Sequence, residues 1–405
     1  MMPTNKSEGT DRSARELLRG LSLAAFLVVL HSTLAFERCV LVVPTLAMAE
    51  TYQGFGASTL GGTGQPIYSV TNLNDAGPGS LRDAVSQGKR YITFKTAGEI
   101  QLTSDLYVQG AFLTIDGLTA PAPGITLKNH GILIRGHHGA HNLIVRGIRV
   151  RDSIGCDTCT TSGAGISIGR AAYNIVLDHV SVQGAQDQAL GIGKNAHDIT
   201  VQWSIFAESK SATGTNLPVL IGPSTMRVSL HHNLLIKGYE RLPQVKYSDS
   251  GVQAIDTQID LRNNLIWEWQ SVATQIWKGT RANVVANYYY TPNGTENTQK
   301  HAIYFCHAGS KPPQCNGMNP QWFAQAYIAA NVSGYGQNIT AYLNSLGTEL
   351  SPFAAPLIEI TDACTAAQRI LQNAGARPLD GTDQLYISQV SLAGCTTPHF
   401  PDRKE

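Results

Sequence analysis

Aromatic side chains are scarce, 7% of 405 residues, and charge is balanced, with 30 Lys and Arg against 29 Asp and Glu. A formal net charge of +1 supplies no overall field for a nucleic acid or an anionic membrane, so a polyanionic ligand would need a local positive cleft. The glycine-rich "GFGASTLGGTG", Gly54 to Gly64, lacks a preceding apolar strand, a following helix and the Lys-Ser/Thr of a phosphate loop, which argues against nucleotide binding. "CDTC", Cys156 to Cys159, has no second CxxC to complete a zinc site and lies in a Thr/Ser/Gly-rich loop, so it reads as a local structural bridge.

The apolar run from Leu21 to Phe36 falls short of the roughly 20 residues of a membrane span and is broken by Glu37 and Arg38. Arg12, Arg15 and Arg19 precede it and the small residues Ala47 and Ala49 follow, so residues 1–49 read as a cleaved export signal. Removing them leaves 25 basic and 25 acidic residues, a formally neutral chain with no membrane association of its own. Six cysteines also remain, as Cys156/Cys159, Cys306/Cys315 and Cys364/Cys395, an even count that favours disulfides in an exported chain. Pairing by proximity is the simplest of fifteen connectivities, and sequence does not choose among them.

What is abundant is glycine, 39 residues, together with short alternating apolar stretches that read as strands. "NLIVRGIRVRDS", "NIVLDHVSVQG", "DITVQWSIFAES", "RVSLHHNLLIKG", "QIDLRNNLIWEW" and "ANVVANYYY" recur at intervals of about 23 to 32 residues. No copy leaves room for a crossover helix and hairpin turn signals are missing, so the strands are expected to stack in parallel as an all-β solenoid, a β-helix. Asn233, Asn264 and Asn287 fall at matching places, where stacked side chains would bond their neighbours above and below. "GSLRDAVSQ" predicts a short helix capped by Ser80 that closes the N-terminal end, and "DACTAAQRILQNAGA" a helix ended by Gly375. The expected organisation is a signal over 1–49 and one domain over 50–405, with repeats about 92–290 and a C-terminal cap and wrap about 291–405. His231 and His232, adjacent in a strand, are expected on opposite faces, unable to share a metal.

"YSVTNLNDAGPGSLRDAV", "LTIDGLTAPAPGITL", "NIVLDHVSV", "ITVQWSIFAES", "VSLHHNLLIKGYERLPQV" and "LQNAGARPLD" together resemble the pectate lyase superfamily in its bacterial, secreted form, from about Gly54 to Asp380. The resemblance implies a right-handed parallel β-helix with short capping helices, and a monomeric exported lyase that cuts polygalacturonate or pectin by β-elimination. It carries the base onto Arg241 of "RLPQVK" and a substrate-binding cation onto Lys246, a point charge where the family has a second, bidentate Arg. A guanidinium is protonated in water, so the base role calls for desolvation and a neighbouring cation, which Lys246 could supply.

The resemblance also implies Ca²⁺ bridging acidic side chains to substrate carboxylates, and here the sequence departs from it. Ser162, Ala164 and Gly165 stand where carboxylates are expected before "ISI". Of a second pair, four residues apart, Asp187 remains while Gly191 is neutral. Asp187 is then the candidate metal ligand, with Asp152, Asp157 or Glu208 as possible helpers. Asp178 and His179 read as buried structural groups. No Lys occurs in "TNLPVLIGPS", and Lys210 is merely close in sequence. Two other functions stay open: a pectin lyase acting without calcium on methyl-esterified substrate, with Trp267, Trp269 and Trp277 lining an apolar cleft, and a non-catalytic polysaccharide-binding β-helix.

Overall fold

Strands this short, joined without crossover helices, can satisfy their backbone only by pairing with the strand one coil away. The structure, a computed structural model, describes residues 52–154, 163–210, 216–247, 258–292, 302–305, 323–335, 339 and 348–395. The export-signal segment and the pairs Cys156/Cys159 and Cys306/Cys315 lie outside these residues. Among the described residues, parallel sheets of ten, nine and eight strands form a right-handed β-helix. Pairing extends from Ile67–Val70 to Val332–Ser333, further at both ends than the stretch in which repeated wording is visible.

Alternate residues of each coil point inward and meet their counterparts at about 4.8 Å spacing. One inward row runs Val108, Ile134, Ile168, Ile192, Ile221, Val245 and Ile276, each at most 1% exposed. Burying each such side chain contributes roughly 1.5 to 3 kcal/mol, and the gain repeats with every coil. Bends between the ten- and nine-stranded sheets are made by residues in the left-handed region, among them His179 (φ 49°), Trp203 (φ 48°) and His232 (φ 56°).

The asparagine stack forms as expected and is longer than the repeats suggested. Asn233 Nδ2 donates to Asn264 Oδ1, Asn264 Nδ2 to Asn287 Oδ1 and Asn287 Nδ2 to Asn331 Oδ1, each at 3.0 Å. At the other end Ser204 N donates to Asn233 Oδ1 at 3.0 Å, and Ser204 Oγ accepts from Val180 N at 3.1 Å. The chain of donors thus crosses six coils inside a core where no solvent could replace a missing partner.

The Ser80 cap is present: its side chain accepts from Asp83 N at the start of the helix Leu81–Ala84. Ala363–Asn373 is helical, capped by Asp362, and Gly375 follows it at φ 91°. This helix lies against the outer face of the nine-stranded sheet, packing on Leu234, Leu265, Trp267 and Tyr288. Cys364 and Cys395 are bridged, tying it to the segment after the next helix, Gly381–Gln389. Buried Arg149 and Arg151 anchor that segment, Arg151 Nη2 meeting Asp383 Oδ1 at 2.8 Å and Asp380 Oδ2 at 3.0 Å.

Asn264→Ala would strip four hydrogen bonds, two from Asn233 and one each to Leu230 O and Asn287 Oδ1. Unpaired buried groups cost about 1 to 3 kcal/mol apiece, so a loss of roughly 3 to 5 kcal/mol is expected in urea unfolding. The exposed-face change Arg281→Ala should stay within about 0.5 kcal/mol in the same experiment.

Candidate active site

The outer face of the eight-stranded sheet carries the row Tyr107, Leu133, Ser167, Gly191, Leu220, Gln244, Gln275 and Tyr304. Its first five members line an open cavity of about 610 Å³. The sixth, Gln244, begins the strand Gln244–Lys246, which Arg241 precedes and Lys246 ends. Arg241 and Lys246 therefore flank the next step of the row that floors the cavity.

Local packing fixes both residues. Arg241 sits in the left-handed region at φ 68°, its carbonyl accepting from Val219 N at 2.9 Å, while Leu242 N donates to Ala273 O at 2.8 Å. This holds the turn between the coils on either side. Lys246 lies beside Gly222, which lines the cavity. A Cβ at Gly222, where φ is 140°, would come within 2.0 Å of Lys246 O, so only glycine lets the two coils close here.

The neighbour that sequence reading missed is Glu240. Its Oε1 lies 3.8 Å from Arg241 Nε, and Oε2 accepts from Gln275 Nε2 at 3.0 Å. Gln275 Oε1 in turn accepts from Gln244 Nε2, so one polar chain links Glu240 to the strand that carries Lys246. Arg241 Nε is buried without a hydrogen-bond acceptor, and the Arg side chain is 23% exposed, open enough for an incoming anion to reach its outer end.

The groups expected to hold calcium do not come together. Ala164 and Gly191 line the cavity without a carboxylate, and Asp187 Oδ1 accepts from the Gln188 amide. Asp152 is held by Lys128 Nζ at 3.0 Å and Lys210 Nζ at 2.9 Å. Burial opposes its charge, but these two lysines outweigh it and keep the carboxyl below its ordinary value. Glu208 accepts from the Tyr386 hydroxyl, Asp157 lies outside the described residues, and Lys210 is spent on Asp152 rather than lining the cavity. Among the described residues no group of three or more His, Cys, Asp or Glu is arranged to hold a metal. A site for Ca²⁺, which wants six to eight oxygens with several charges, does not fit these side chains.

Three further expectations resolve. Asp178 is buried as expected, accepting from Gln202 Nε2 at 3.0 Å and paired at 2.8 Å with Nδ1 of His179, which is half-buried and not buried as expected. Trp267 and Trp269 are 2% exposed and belong to packed cores, which leaves Trp277, paired with Lys246, on the cleft sheet. His231 and His232 do not take opposite faces. The strand ends at His231 and His232 turns at φ 56°, so their Nδ1 atoms meet at 3.0 Å. Burial lowers them to about 3 and about 4, so both are neutral and one donates to the other.

Over 291 residues, 69% of this chain, it is 35% identical to "Probable pectate lyase C" of Aspergillus fumigatus, covering 61% of that protein. It is 28% identical over 264 residues to "Probable pectate lyase 4" of Arabidopsis thaliana, which is 62% of this chain and 66% of that one. The chain thus spans about three fifths of the fungal relatives it matches. No family model matches it. Among solved structures, the thermostable pectate lyase PL 47 superposes with TM-score 0.58 at 15% identity, over 82% of this chain and 98% of that one. The cedar-pollen allergen Jun a 1 gives 0.57 at 19% identity, over 80% and 92%. At these identities the superpositions speak for the fold.

Adding carboxylates should create what the side chains lack. A Cβ at Gly191 would meet Gln188 Oε1 at 3.6 Å and Ser167 Oγ at 3.9 Å, ordinary contacts, so Gly191→Asp fits. Combined with Ala164→Asp, it should make the melting temperature rise with added Ca²⁺, by several degrees at about 100 Kd, while the unaltered protein shows no such rise.

Proposed function

The chain belongs to the pectate lyase superfamily, and we propose that it cuts α-1,4-linked polygalacturonate by β-elimination, with Arg241 as base and Lys246 as a carboxylate-binding cation. The observation that carries this is that Lys246 ends, and Arg241 lies in the turn leading into, the strand that continues the cavity floor.

The C5 proton of a uronate lies next to a carboxylate, so removing it builds a second negative charge and is slow unless that charge is met by cations. The base takes the C5 proton. The electron pair left behind forms the C4–C5 double bond, and the C4–O4 bond breaks with O4 taking up a proton. In this reading Lys246 meets the carboxylate as a point charge, while the Glu240–Gln275–Gln244 chain fixes the strand between the two cations. A pectin lyase reading keeps only Trp277 of its three tryptophans on the cleft sheet, since Trp267 and Trp269 are core residues.

Export belongs to the same reading: residues 1–49 serve as the signal, and residues 50–405 act outside the cell as one monomeric domain on cell-wall polysaccharide.

Arg241→Ala should lower the elimination rate by about 10² to 10⁴, followed as ultraviolet absorbance of unsaturated oligogalacturonides. Absence of unsaturated product from polygalacturonate, with and without Ca²⁺, refutes the proposal.

A further inference from the structure

The cavity carries charge that the elimination step does not use. Arg135, Arg170 and Lys194 line it with His137 and His138, against the single carboxylate of Asp105. Asp105 faces His130 Nδ1 at 3.5 Å and accepts from Gly131 N at 3.4 Å, so it is turned toward its own coil. Its Arg, Lys and Asp side chains alone bring three positive charges to one negative, in a protein whose formal net charge is +1.

These cations are built into the floor rather than scattered. Arg135 Nη1 donates to Ser167 O at 2.8 Å and Ser167 Oγ at 3.0 Å, laying the guanidinium across the neighbouring coil. Nη2 and Nε of Arg135 donate to no protein group among the described residues, which leaves a two-pronged edge for an acceptor. Arg170 and Lys194 follow their strands at matching places on consecutive coils, with Ala171 N donating to Lys194 O at 2.9 Å. Both are exposed, and their backbones are one strand spacing apart, about 4.8 Å. Like charges stacked this way repel, an unfavourable arrangement unless an anion lies between them. Burial pulls the Arg135 guanidinium below its ordinary value, with Tyr107 and Asp105 opposing the shift and the charge of Arg170 adding to it.

We propose that Arg135, Arg170 and Lys194 form a carboxylate subsite that takes successive uronate groups of polygalacturonate directly, in the part of the cleft where Ala164 and Gly191 leave no carboxylates to hold calcium. The identity of the ligand rests on the elimination reading above. The subsite shares the sheet face with Lys246, so one bound chain would run along the row from Tyr107 to Gln244.

The test is calorimetric binding of trigalacturonate in chelator, with its methyl ester as a neutral control. Arg170→Ala/Lys194→Ala should weaken trigalacturonate binding at least tenfold and leave the ester unaffected, while Arg170→Lys/Lys194→Arg should bind as the unaltered protein does. In turnover the double alanine variant should raise KM with little change in kcat. Unchanged affinity in that variant, no binding by the unaltered protein, or equally tight binding of dextran sulfate would each overturn the subsite. The two readings fail separately: binding without unsaturated product removes the lyase and keeps the subsite. Elimination with KM unchanged in the double alanine variant removes the subsite and keeps the lyase.

Discussion

Every coil of a parallel β-helix has to deliver its inward side chains to the place where the previous coil left them, because a slip of one residue turns an aliphatic row out to water. That register fixes the core rows, and with them the outward rows, since successive residues of a strand alternate faces. Variation in coil length is forced into the turns. This is why Arg241 lies on a left-handed turn held by Val219 on one side and, through Leu242, by Ala273 on the other.

The three outer faces have different fates. The ten-stranded sheet presents Thr200 and Ser229, which bond the backbone of Gly56 and Phe55, and Asn283, which bonds Phe353, while Asn263 in the bend beyond it bonds Thr361. The nine-stranded sheet is covered by Ala363–Asn373 and by the segment that Arg149 and Arg151 hold through Asp380 and Asp383. On the eight-stranded sheet the same outward positions carry Ser167, Gly191 and glycines that leave an open cavity. Among the described residues, segments from near the two ends cover two faces, and the face they leave open holds Arg241, Lys246 and the basic lining.

The core was legible because it is written in the strands: aliphatic alternation and the recurrent asparagines predict the stack, down to the bonds between Asn233, Asn264 and Asn287. Arg241 and Lys246 were legible through the wording around them. The basic lining was not, because repeats were aligned on the strands of the other two sheets. Aligned on the cleft sheet, "ILIRG", "ISIGR", "LGIGK" and "QVKY" each place a basic residue at or just past the end of the strand. Glu240 was missed for another reason, since its bond to Gln275 spans 35 residues and depends on the spacing of one particular coil. His231 and His232 were misread because a strand's alternation stops where the backbone turns left-handed.

Replacing metal by fixed cations changes what the empty cleft must endure. A calcium site of several carboxylates is negative without its ion and neutral with it, so its repulsion is relieved by an ion from solution. A cleft built of Arg135, Arg170 and Lys194 is positive until substrate arrives, and its repulsion must be borne by the fold. A β-helix bears such a load well, because its coils are held by inward rows and the asparagine stack, neither of which touches the cleft face. The same rigidity keeps the backbones of Arg170 and Lys194 one strand spacing apart, so on the proposed reading both cations are presented on one face before a carboxylate enters.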